Sequence, residues 1–128
     1  MPTFPGNTGD VVTSAMWNGL PAFTVQTAKT VDYTATTGDE YQQLIPMNKA
    51  TAIAFKIPTD ATYNFAVGTV ITVLNIGVGT CTISAVTSGT TTVLSAGAVA
   101  ASPTVAQYKS AACIKTAANA WYVIGAIA

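Results

Sequence analysis

The sequence predicts an all-β domain, a compact antiparallel β-sandwich or jelly-roll-like fold of about eight short strands. Three observations predict it. Short runs rich in Val, Ile, Thr and aromatic residues alternate with a two-residue period, Gly, Pro, Asn or Ser breaks them at roughly eight-to-twelve-residue spacing, and no long helical period is present.

Residues 1–30 read differently from the rest. PTFPGNTGD, at positions 2–10, holds two prolines and two glycines with no periodicity, and reads as an extended arm. Thr13 or Ser14 can cap one short helical turn through Ala15, Met16, Trp17 and Asn18, which Gly19 and Pro21 end. Trp17 can fold back onto its own domain or meet another chain; the second is the expectation here, because Trp is enriched at interface centres. Phe4, Val11, Val12, Met16, Trp17, Leu20 and Phe23 are then the anchors.

The β-domain occupies residues 31–128. Val31, Tyr33 and Ala35 alternate with Asp32, Thr34 and Thr36, and Thr37-Gly-Asp-Glu40 has capping-box spacing for a short helical turn through Tyr41 and Gln42. Asp39 and Glu40 read as a solvated cap, since a catalytic carboxylate pair must face one substrate from opposed positions. Leu44, Ile45 and Met47 form a strand that Pro46 confines to an edge or a bulge. Ile53, Phe55 and Ile57 alternate with Ala52, Ala54 and Lys56 until Pro58, so one face is core and Lys56 is outside. Thr59 to Gly68 is a loop, with Tyr63 and Phe65 exposed or folded under it.

Thr69 to Ser84, TVITVLNIGVGTCTIS, reads as a hairpin. Val70, Ile71, Val73, Leu74 and Ile76 put apolar groups on both faces of a central strand, while Cys81, Ile83 and Ala85 alternate with Thr80, Thr82 and Ser84. Gly77 and Gly79 would supply the positive φ of a tight reversal. Thr90 to Leu94 gives another strand, and Ser95 to Pro103 a small-residue linker. A C-terminal hairpin joins Ala106–Thr116 to Trp121–Ile127 around Ala117-Ala-Asn-Ala120. Tyr108, Ala112 and Ile114 share one face, Lys109 and Lys115 the other; Trp121, Val123 and Ile127 share a face.

Composition then removes whole classes of function. A chain of 128 residues fits one domain, burying roughly two-thirds of its unfolded surface. Five lysines and five acids, with no arginine and no histidine, leave no footprint for nucleic acid and no basic arm for a membrane. A neutral, apolar-rich chain has little to keep a monomer soluble, which points to a homo-oligomer. Met1 opens neither a signal peptide nor a membrane span. Without histidine the usual general base, metal ligand and nucleophile partner are missing together. Cys81 and Cys113 fit no zinc spacing; they read as two small buried hydrophobes, or as a pair facing one another. Asp10, Asp32, Asp39, Glu40 and Asp60 match no calcium loop. The expectation is a protein that is no enzyme and has neither cofactor nor metal, working by binding.

From Val31 onwards the chain resembles a small β-domain of tailed-bacteriophage virion proteins, found in head-decoration (cement) proteins and tail-fibre tips. Asn48, Ile57-Pro58, Phe65, Gly68-Thr69 and Gly77-Val-Gly79 carry the resemblance, followed by Thr82-Ile83, Tyr108, Lys115 and Asn119-Ala-Trp121-Tyr-Val123-Ile-Gly125. GDVVTSAMWN, at positions 9–18, is similar to the lead segments of phage structural proteins. An arginine common near the positions of Tyr108 and Lys109 is missing, so no ligand role is carried over there.

The resemblance implies a head-decoration protein on the outer surface of the capsid, assembled in the host cytoplasm. A short arm with no fibre shaft favours it. It would be a homotrimer whose arm is anchored on the major capsid protein. The alternative is a tail-fibre tip or receptor-binding module that recognises host-surface glycan through Tyr63, Phe65 or Tyr122.

Overall fold

The computed structural model describes residues 25–41 and 44–128. These contain nine strands: β1 (Tyr33–Thr34), β2 (Leu44–Met47), β3 (Ile53–Ile57), β4 (Val70–Asn75), β5 (Cys81–Ala85), β6 (Thr92–Ser95), β7 (Thr104–Val105), β8 (Lys109–Ala117) and β9 (Ala120–Gly125). They form two packed sheets, of four strands in the order β1-β3-β5-β7 and of five in the order β2-β4-β8-β9-β6. Among the described residues there is no helix, so the all-β sandwich is as expected. The anchors Phe4, Val11, Val12, Met16, Trp17, Leu20 and Phe23, and the turn capped at Thr13 or Ser14, lie outside the described residues.

The connectivity departs from the antiparallel expectation. From β1 to β8 each strand is followed by one in the opposite sheet. Crossing over and back reverses the chain twice, so a strand returns beside its predecessor pointing the same way. Hence β1 and β3, β3 and β5, and β2 and β4 pair in parallel. β6 and β9, joined through β7 and β8, are parallel as well. β7 is the exception to the rule, since it is reached from β5 through β6 yet runs antiparallel to it; β4–β8 and β8–β9 are also antiparallel. Val25 and Lys29 extend the pattern through parallel bridges to Leu44 and Met47 at the edge of β2.

Thr69 to Ser84 is therefore not a hairpin. β4 and β5 lie in different sheets, and 76–80 arches between them. Its alternation was genuine, since Ile71 and Val73 on β4 and Cys81 and Ile83 on β5 all point into the core. Local pattern cannot distinguish an arch from a hairpin, because both need two alternating arms and a glycine-rich bend. Nor do Gly77 and Gly79 adopt positive φ. They are required by close approach: a Cβ on Gly77 would lie 2.4 Å from the backbone of Lys49, and one on Gly79 would lie 1.8 Å from the Thr51 carbonyl oxygen. The arch stacks directly on the preceding one, and Gly79 N–H donates to the Lys49 carbonyl at 2.9 Å.

Asn75, fully buried at the end of β4, ties this arch to its neighbours. Its Nδ2 donates to the carbonyls of Gly79 and Val105, both at 2.8 Å, and its Oδ1 accepts from Gly77 N–H at 3.0 Å. Its own carbonyl accepts the N–H of Tyr108, whose left-handed backbone (φ 64°) turns the chain into β8. The C-terminal hairpin forms as expected between β8 and β9, with Asn119 in the left-handed conformation at its turn. Lys115 lies on the face of β8 opposite Ala112 and Ile114, as expected, and that face is the inner one: it points inwards with Ala111 and Cys113 and is 1% exposed.

A methyl group on Gly79 has only backbone to displace. Gly79→Ala is expected to lower unfolding free energy by about 3 kcal/mol, at the upper end of overpacking costs, measured by denaturant titration. Val78→Ala at the exposed tip of the same arch should stay within about 0.5 kcal/mol.

Candidate functional site

The buried charges come first, since a chemical site would be built from them. β8 alternates so that Lys115 enters the core one step beyond Cys113, beneath the loop 58–68. Its Nζ donates to Asp60 Oδ1 at 2.8 Å, Asn64 Oδ1 at 2.7 Å and the Phe65 carbonyl at 2.7 Å. Each of the three ammonium protons thereby has an acceptor within the fold. Asp60 completes the clamp. Its Oδ2 accepts the Asn119 N–H at 2.9 Å, and its own N–H donates to Asn119 Oδ1 at 2.8 Å. Desolvation pushes the Asp60 carboxyl up, but the Lys115 hydrogen bond, the Asn119 N–H and the lysine charge outweigh it and hold the group below its ordinary value.

Asp39 and Glu40 sit on a turn at 37–41; Gln42, the far end of the expected helical turn, lies outside the described residues. Asp39 is not the solvated cap expected, being only 4% exposed. It accepts from Gln26 Nε2 at 2.7 Å, from the Tyr33 hydroxyl at 2.8 and 3.0 Å, and from Thr36 N–H at 2.8 Å, so donors from three places replace its water. Burial, then the Asp39 hydrogen bond and charge, push the Tyr33 hydroxyl well above its ordinary value. Glu40 accepts from Gly38 N–H at 2.6 Å and from the Tyr63 hydroxyl at 2.7 Å. Each carboxylate pins loops together, and the two do not face a common space as acid–base catalysis needs.

Cys81 and Cys113 are buried free thiols on opposite sheets. Burial pushes them up to about 11 and about 12 respectively, so neither forms a reactive thiolate near neutrality. Among the described residues no three His, Cys, Asp or Glu side chains gather to hold a metal ion.

Of the candidate ligand residues, the structure brings Tyr63 and Phe65 together but not Tyr122. Phe65 is folded under its loop at 2% exposure, packed edge-on against Trp121 at 5.7 Å and Tyr63 at 4.5 Å. It cannot serve as a platform for sugar. Tyr122 follows Trp121 on β9 and so points the other way, onto the outer face of the five-stranded sheet.

That outer face is the surface the sequence reading missed. In register across it, Val70 neighbours Ile114, Ile114 neighbours Tyr122, and Tyr122 neighbours Leu94. The signal is apolar residues in both phases of β4, which fit a central strand equally well, together with Ile114 on β8 and Tyr122 and Ile124 on β9. The outer face of the other sheet shows the contrast: there Thr34, Lys56 and Ser84 lie in register, as do Ala54, Thr82 and Thr104. No protein-family model, curated protein or solved structure matches this chain.

The clamp has a pH signature. Because the folded Asp60 carboxyl is held below its ordinary value, its contribution to stability is complete above the unfolded value of about 3.9 and is lost as pH falls through the folded one. Denaturant midpoints measured from pH 7 to pH 2 should show this loss, and Asp60→Asn should flatten it. Lys115→Met, which strands the Asp60 carboxylate, should cost about 3 kcal/mol at pH 7.

Proposed function

We propose that this chain is a non-enzymatic structural protein of a tailed-phage virion, a capsid decoration (cement) protein that binds and stabilises the assembled head. In this reading it is a homotrimer on the outer surface of the capsid, with its N-terminal arm anchored on the major capsid protein. The observation that carries the reading is where polar chemistry lies. Lys115, Asp60, Asp39 and Glu40 are all used to hold the fold together, while an uncharged apolar sheet face stands at the surface. Such a molecule works through contact area.

A second feature supports the arm. Gln26 N–H donates to the Leu44 carbonyl at 2.9 Å and Lys29 N–H to the Pro46 carbonyl at 2.8 Å, so the chain just after residue 24 is fixed to the edge of β2. An arm rooted there transmits what it grips into the sandwich. Stabilisation would then follow by mass action: a ligand of the assembled shell alone contributes about 2.7 kcal/mol per site at a hundredfold excess over its Kd. The glycan-binding alternative is left with Tyr122, since Phe65 is in the core and the Tyr63 hydroxyl is held by Glu40.

Purified protein mixed with undecorated capsids should bind at shell-saturating stoichiometry and raise the temperature at which the heads release DNA. The form lacking residues 1–23, and full-length Trp17→Ala, should do neither. Binding of both truncated and full-length protein to host cells, with no binding to shells, would overturn the proposal.

A further inference from the structure

We propose that the outer face of the five-stranded sheet is the surface through which copies of this chain associate, each face covered by that of a second copy. The inference rests on the proposal above only for the existence of an oligomer and differs from it in order, since identical faces that cover one another pair two copies about a twofold axis.

The two outer faces of one sandwich provide an internal comparison. On the four-stranded sheet, outward positions are Thr, Ser and Lys apart from Ala54, as expected where a sheet meets water. On the five-stranded sheet two largely apolar rows run across the strands. One is Val70, Ile114, Tyr122 and Leu94; the other, apolar except for Thr72, passes from Leu44 through Thr72 and Ala112 to Ile124. Four of these side chains are well exposed: Val70 at 37%, Leu94 at 41%, Tyr122 at 46% and Ile124 at 54%. Their clustering is what matters, because single exposed apolar residues are ordinary and contiguous ones mark association surfaces.

Charge and area select the occupant. No charged residue stands in either row, so identical faces can meet without bringing like charges together. An acidic or basic partner would find no complement there. Five strands about 4.8 Å apart, each contributing about six residues at 3.3 Å, give a face of roughly 500 Å² in projection. That is the larger part of the ~800 Å² which each partner buries in a standard interface. At its margin Leu94, Tyr122, Ile124 and Ile127 line an open groove of about 390 Å³, a socket for a side chain of the neighbouring copy. Sheets packed face to face in this way repeat between molecules the arrangement already present within one.

The test is sedimentation equilibrium of the full-length protein from 1 to 100 µM, beside Ile124→Lys, Leu94→Lys and the control Ser84→Lys on the other sheet. Circular dichroism verifies the fold of each. The wild type and Ser84→Lys should associate, with Ile124→Lys and Leu94→Lys at least a hundredfold weaker. A monomeric wild type, or association unaffected by either lysine on the face, would overturn the inference; the first would also leave residues 1–24 of the same chain as the candidate cover. Mixing the same proteins with undecorated capsids separates the two proposals. Association without shell binding overturns the cement reading alone. Shell binding by a wild type that is monomeric in solution overturns the face assignment alone.

Discussion

The stacking of one arch on the next is the constraint on which this structure depends. A strand that crosses to the opposite sheet loses the close hydrogen-bonded turn of a hairpin, so another device must fix where it lands. Here that device is contact between successive bends, with Gly77 and Gly79 laid against Lys49 and Thr51 and no room for a Cβ between them. Asn75 then supplies from its side chain the donors and the acceptor that the bend at 76–80 cannot supply for itself. With the arch fixed, β5 pairs beside β3 as β4 pairs beside β2, and the apolar alternation of each strand falls into one shared core. The parallel pairing of β1, β3 and β5 and of β2 and β4 follows from that crossing.

The second organising element lies at the opposite end of β4, under the loop 58–68. A buried lysine is costly unless fully partnered, and Lys115 has an acceptor for each proton. It holds down a loop whose own apolar contribution is chiefly Phe65, and through Asp60 it also fixes the turn between β8 and β9. Asp39 and Glu40 do comparable work for residues 26–41. With Lys115, Asp60, Asp39 and Glu40 committed to loop closure, the outer face of one sheet carries hydroxyl groups and Lys56, and that of the other chiefly apolar side chains.

Much of the fold was legible because strand alternation reports burial directly. Ile53, Phe55 and Ile57, or Trp121 and Val123, could be assigned to the core from period alone, and the C-terminal hairpin from its Ala-Asn turn. Sheet membership was not legible, because an alternating run carries no record of which sheet it joins. The inward turn of Lys115 and Asp39 was hidden for another reason. A charged residue reads as exposed until its partners are known, and those partners lie 50 or more residues away for Lys115 and up to 13 away for Asp39. The apolar outer face was visible in composition, yet apolar residues in both phases describe equally a strand covered on both sides within one chain and one covered by another.

The parallel seam between residues 25–29 and β2 has a mechanical meaning. Its hydrogen bonds, from Gln26 to Leu44, Lys29 to Pro46 and Asn48 to Lys29, lie side by side along the strand. A pull along that axis loads them together in shear, whereas a pull across the sheet would open them one at a time. The sandwich therefore offers a directional grip, firm along β2 and yielding when peeled.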